Sequence, residues 1–284
     1  GEKDETGRRE EPPSALTPIA GGVAGGLVAG LMEEAHRAAS SGRRQLARQR
    51  YERALYLVKD QSQSAAASTI LRRVGRTYLD DGDVQAGMDC LMAAHAVALA
   101  CDNSSEVAHT VNVMAISYVQ RGLLEEGEQM YQEAGRMARI AGDGRLIAMI
   151  EQNLGVIASM HGEAVRALGH YLDSLERYRE LELLEEVARL LNNIGLAHVK
   201  LQNWDEAERV YAESHALARE AGDGWTRLMV EVNRVDLLIE RRDFTNAKAA
   251  CDRILLEAGS LHEKRLLAEA YKHAGVVARE SERF

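Results

Sequence analysis

Nine histidines, three cysteines and several paired carboxylates are the groups in this 284-residue sequence that could ligate a metal or act as nucleophiles and acid–base catalysts. Their spacing assigns them none of those tasks. No two histidines stand four apart, as a metal site on one helix face requires, and H-E-x-x-H is absent. Cys90, Cys101 and Cys251 are odd in number and form no C-x-x-C pair, so they read as small core residues in a reducing compartment. Glu125–Glu126 and Glu185–Glu186 are adjacent, which points them to different faces of a helix and makes them solvated surface. Neither G-x-x-x-x-G-K-[ST] nor G-x-S-x-G occurs, and the glycine-rich stretch at 21–30 lacks the lysine that phosphate binding needs. The expectation is a protein that is not an enzyme and that uses no metal or cofactor.

Side-chain amides offer a different chemistry. Asn153, Asn193 and Asn233 recur every 40 residues, and Asn112, Gln152 and Asn192 form a second stripe one residue earlier. An amide both donates and accepts, so a ladder of them can bond the main chain of an extended peptide. Asn is disfavoured inside a helix unless it gains a partner, and that partner is either a ligand or a neighbouring helix. Beside these stripes run Arg72, Arg73 and Arg76, then His109 and Arg189. Against a net charge of −9, from 35 basic and 44 acidic residues, this is a local basic strip. It favours a peptide carrying Asp, Glu or a terminal carboxylate, unless the cations pair with acids of adjacent helices. The overall charge excludes a nucleic-acid binder, which needs clustered Lys and Arg.

The elements that position these residues follow from an internal period of 40 that runs without insertion from residue 35 to 282. One column reads Ala35, Gly75, Ala115, Gly155, Gly195, Val235, Gly275, and a turn column reads Gly42, Gly82, Gly122, Gly162 before lapsing to Gln202 and Arg242. A second small column, Ala47, Gly87, Gly127, Ala167, Ala207, Ala247, is followed four residues later by Tyr51, Leu91, Tyr131, Tyr171, Tyr211, Cys251. Apolar residues recur at three- and four-residue spacing on both sides of the turn, so each unit is two helices. Small residues in register let the helices approach, and Tyr fills the space beside them. Asp83, Asp143, Asp223 and Asp243 are placed to cap helices, and Asn203 with Glu206 has the capping-box spacing.

These columns resemble the tetratricopeptide repeat, whose L-G-x-x-Y and A-x-x-x-F patterns appear as Val74-Gly75-x-x-Tyr78 and Ala207-x-x-x-Tyr211. The common repeat is about 34 residues long and closes on a Pro. The 40-residue unit without that Pro resembles the longer subclass of bacterial signalling regulators and eukaryotic polarity adaptors. The resemblance implies an all-α, right-handed superhelical solenoid of antiparallel helix pairs, with six full repeats and a final single helix. Repeats are expected near 26–62, 63–102, 103–142, 143–182, 183–222 and 223–260, with the last helix at 262–281. It also implies that Asn at the first of the two stripes holds a ligand main chain in the concave groove.

Residues 1–25 read as a polar, then Gly- and Pro-rich arm. Gly22, Gly26 and Gly30 have G-x-x-x-G spacing, but 17 apolar residues containing Pro18 are too few and too broken to favour a membrane span. The final helix carries Leu266, Leu267 and Tyr271 with no following helix to cover them, which suggests self-association through the chain ends into rings or filaments. The function read from all this is a non-catalytic scaffold or sensor that binds a protein or peptide segment, acidic in character, in a cytoplasmic setting. A self-assembling structural protein, extracellular if filamentous, and the regulatory region of a bacterial signalling protein are the alternatives.

Overall fold

A computed structural model describes residues 23–58, 65–260 and 264–281. Among the described residues there are thirteen helices and no strand: α1 (Val23–Ser40), α2 (Arg44–Leu57), α3 (Ala65–Asp80), α4 (Val84–Ala100), α5 (Ser104–Gln120), α6 (Leu124–Ala141), α7 (Gly144–Met160), α8 (Ala164–Glu180), α9 (Leu184–Lys200), α10 (Trp204–Glu220), α11 (Gly224–Glu240), α12 (Phe244–Ser260) and α13 (Lys264–Ser281). The arm expected over 1–25 lies outside the described residues as far as residue 22, and Val23 already begins α1.

Side chains set the helix starts. Asp83, Asp143, Asp223 and Asp243 each accept a bond from a backbone N–H three residues on, satisfying a donor that the first turn leaves open. Asn103 does the same for Glu106. The capping box expected of Asn203 and Glu206 does not form. Asn203 makes no side-chain cap bond, and the Glu206 carboxylate instead accepts from Arg209 Nε at 2.8 Å. Gly82 and Gly162 turn with φ of 84° and 79°. Gln202 and Arg242, where the glycine lapses, hold the same left-handed turn at φ 59°. There the turn geometry overrides a side-chain cost of roughly 1–2 kcal/mol.

The chain divides within α7 into two compact units, one ending at Ile150 and the other beginning at Glu151. In the first, Val28, Leu31, Met32 and Ala35 of α1 pack with Ala47, Tyr51 and Ala54 of α2 and with Ile70 and Val74 of α3. Gly75 lies so close to the Gly87 carbonyl that a Cβ would stand 2.9 Å from its oxygen. In the second, Tyr171 fills the space beside Gly155 and Tyr211 that beside Gly195. Leu228, Val232 and Val235 of α11 meet Ala247, Cys251 and Ile254 of α12, with Ala270 and Val277 of α13. Buried hydroxyls fasten partners within a pair: Ser68 donates to the Ala94 carbonyl at 2.9 Å, and Ser214 to the Ala188 carbonyl at 2.6 Å. No described helix is long and apolar enough to cross a membrane.

Candidate functional site

Within each unit, first helices of successive pairs are neighbours. In the first unit α3 neighbours α5, and in the second α11 neighbours both α9 and α13. The residues singled out for ligand binding fall on α3 and α5 in the first unit and on α7, α9 and α11 in the second.

In the first unit the cations of α3 and α5 mostly have acidic partners. Arg72, 2% exposed, donates through Nε to Glu106 Oε2 at 3.3 Å. Arg76 donates to Asp80, one turn on, at 3.1 Å. His109 Nε2 stands 3.1 Å from Asp143 Oδ2, the carboxylate that also caps α7. Arg73 differs. It is half-buried, no carboxylate among the described residues pairs with it, and its Nε is buried with no acceptor. Asn112 has no exposed surface, and both atoms of its amide lack a hydrogen-bond partner among the described residues.

In the second unit, Gln152 and Asn153 of α7, Asn193 of α9 and Asn233 of α11 are half-buried. Asn192 is buried, and its Oδ1 accepts from Asn233 Nδ2 at 2.8 Å. The structure therefore ties Asn192 to Asn233, while Asn153, Asn193 and Asn233 each keep part of their surface exposed. Arg189 sits between Glu186 at 3.5 Å and Asp223 at 4.0 Å. Val156 and Leu196, three residues beyond Asn153 and Asn193, add half-buried apolar surface.

The acidic partners Glu106, Asp143 and Asp223 were not legible as such, yet a signal exists. Each lies 34 residues after its cation, Arg72, His109 or Arg189. That offset spans from the middle of one first helix to the start of the next. Three more histidines bridge helices in the second unit: His170 to Glu151 at 2.9 Å, His215 to Glu231 at 3.1 Å and His273 to Asp236 at 2.6 Å. Of the chain-end residues, the Leu266 side chain lies outside the described residues, Leu267 packs on the α12–α13 core, and Tyr271 is 65% exposed.

Burial governs the titratable groups of the core. It pushes the Tyr171 phenol up to about 12, against an opposing hydrogen bond from Ser159, and raises Tyr211 further. It also raises the Cys90 and Cys251 thiols, with nearby Asp charges adding to the effect, so neither is poised as a nucleophile. Burial lowers His198, opposed by Glu206 and aided by Arg209. Among the described residues, no group of three or more His, Cys, Asp or Glu could hold a metal ion.

The signal-transduction ATPase from Pyrococcus horikoshii, which carries a tetratricopeptide repeat sensor, matches this structure with a TM-score of 0.69 at 14% identity, over 87% of this chain and 36% of its own. The fold is that of the tetratricopeptide repeat. A second tetratricopeptide-like match is the apo form of the quorum sensor NprR from B. thuringiensis, with a TM-score of 0.63 at 15% identity, over 89% of this chain and 75% of that one. In sequence, 114 residues are 31% identical to the transcriptional activator NprA of Geobacillus stearothermophilus, covering 40% of this chain and 28% of the activator. The chain thus matches little more than a quarter of that relative's length. No family model matches it.

Proposed function

We propose that the first helices of the second unit bind an extended protein or peptide segment without catalysis, as a sensor or scaffold. One observation carries the reading: Asn153, Asn193 and Asn233 repeat the same position on three successive first helices, and each keeps part of its surface exposed. Mid-helix amides that spend only part of their hydrogen-bonding capacity on neighbours are suited to a ligand main chain. Arg73 occupies this same repeat position on α3 of the first unit and, free of a carboxylate, suits an acidic group of a segment bound to that unit. The quorum sensor and the repeat sensor of the ATPase share the fold, and the match to a fraction of NprA fits a sensing region within a larger regulator.

The test is selection of displayed random peptides on the immobilised chain, repeated with Asn153, Asn193 and Asn233 all changed to Ala. Loss of the amides should weaken binding of the selected peptides at least tenfold, since each bond is worth about 1 kcal/mol. Circular dichroism should show an unchanged fold. Undiminished binding, or unfolding of the triple variant, would sink the proposal.

A further inference from the structure

Charged residues stand among the exposed positions along the whole length of α6, α8 and α10. On α6 they are Glu125, Glu126, Arg136 and Arg139, beside Ile140; on α8, Arg166, Asp173, Glu176 and Arg179, beside Val165 and Leu172; on α10, Asp205, Glu206, Arg209 and Arg219, beside Ala212 and Ala216. On α4 the exposed positions after Asp89 are Met92, Ala93, Ala96, Leu99 and Ala100, with no charge among them. Met92 and Leu99 are each 53% exposed. At about 100° per residue these five lie within one face roughly 120° wide, centred on Ala96. At the same end of the neighbouring repeats' second helices, Tyr56 and Leu57 of α2 and Ile140 of α6 are exposed as well.

We infer that this face of α4 is a homodimer interface, in which α4 of one copy packs antiparallel on α4 of a second copy about a two-fold axis at Ala96. The face is self-complementary in that arrangement. Ala96 meets itself on the axis, Met92 of each copy lies alongside Leu99 of the other, and Ala93 lies alongside Ala100. The alanine flank lets the two helices close up while the Met–Leu flank fills the wedge. Asp89, held by Gln85 Nε2 at 2.9 Å, falls at the rim beyond the partner helix. The apolar side chains named on α2, α4 and α6 expose on the order of 600 Å² per copy, close to the ~800 Å² per partner of a standard interface. A C2 contact uses one patch on both copies, as this symmetric pattern requires.

Sedimentation equilibrium of the full chain at micromolar concentrations reads the prediction. The wild type should dimerise. Ala96→Glu, which brings two carboxylates together on the axis at a solvent-facing helix position, should weaken the dimer at least tenfold with an unchanged circular dichroism spectrum. Ala96→Cys should form an intermolecular disulfide under mild oxidation, because the axis brings the two Cβ atoms within bonding range. Ala212→Cys, at an exposed position of α10, should not. A strictly monomeric wild type overturns the inference. So does a dimer that survives Ala96→Glu, one that dissociates only on changing Tyr271 of α13, or an Ala96→Cys variant that fails to cross-link.

Discussion

Replacing Gly195 by Ala should destabilise the protein, and replacing Gly169 by Ala should stabilise it. Both glycines lie inside helices, α9 and α8, where alanine gains about 1 kcal/mol over glycine from backbone propensity alone. They differ in what the new methyl would meet. At Gly169 a Cβ finds no atom within 4 Å, so the propensity gain stands alone. At Gly195 it would come to 2.6 Å from Tyr211 Cδ1 and 2.7 Å from Cζ, distances at which something must move. The ring cannot swing away, because Tyr211 has no exposed surface and is held by Val230, Leu237 and Ala207. Overpacking of this kind costs about 1–3 kcal/mol or more, which outweighs the propensity gain. Urea unfolding should therefore move the midpoint down for Gly195→Ala and up for Gly169→Ala, with similar slopes. Trimming the ring through Tyr211→Leu in the Gly195→Ala background should recover part of the loss, since Leu91 already stands opposite Gly75. If both alanines stabilised alike, the small-residue column would not be a packing device.

Three further perturbations follow from buried polar groups. Asn112→Leu should raise stability by about 1–3 kcal/mol in denaturant unfolding, since an amide buried with both atoms unpartnered is replaced by an apolar group of similar volume. Glu106→Ala should do the opposite by removing the carboxylate to which the buried Arg72 Nε donates, and restoring Tm with Arg72→Met in the same chain would confirm the cause. Stability should fall between about pH 10 and 12, monitored by far-ultraviolet dichroism. An unfolded tyrosine ionises near 10, whereas folded Tyr171 stays protonated to about 12, so its contribution is complete below pH 10 and lost as the pH climbs through the folded value. Tyr171→Phe should flatten that loss.

The helix pairs and their small-residue columns were readable because packing in a repeat recurs at a fixed sequence distance. Gly155 with Tyr171 and Gly195 with Tyr211 are the same contact written 40 residues apart. The turns were readable for the same reason, down to Gln202 and Arg242, where the period held although the glycine did not. The charges of the candidate site were harder. Helical spacing shows which residues are neighbours three or four apart, as with Arg76 and Asp80, but it is silent about partners on the next repeat. Arg72 and Glu106 look unrelated until one helix is laid beside another, and only then does the recurring 34-residue offset acquire a meaning. The capping box at Asn203 was misread because a local pattern ignores competitors. Arg209, three residues beyond Glu206, claims the carboxylate.

The two amide stripes, alike in sequence, part company in three dimensions for a geometric reason. Residues one apart are turned by about 100°, so one stripe is mostly buried while the other keeps part of its surface. The earlier stripe is buried at Arg72, Asn112 and Asn192, two of which bond across to acid or amide, while Gln152 is only half-buried. The later stripe keeps surface at Arg73, Asn153, Asn193 and Asn233, and is interrupted at Val113, which is 2% exposed. Under the proposed function, polar recognition by this stripe in the first unit therefore falls to a single guanidinium, which selects for charge. In the second unit it falls to three amides, which bind a main chain whatever its sequence. Arg73→Gln should then weaken the preference for Asp and Glu among peptides that bind the first unit, while the triple Asn variant should weaken all peptides that bind the second. A loss of affinity without a change of preference at Arg73 would mean that its charge reads nothing.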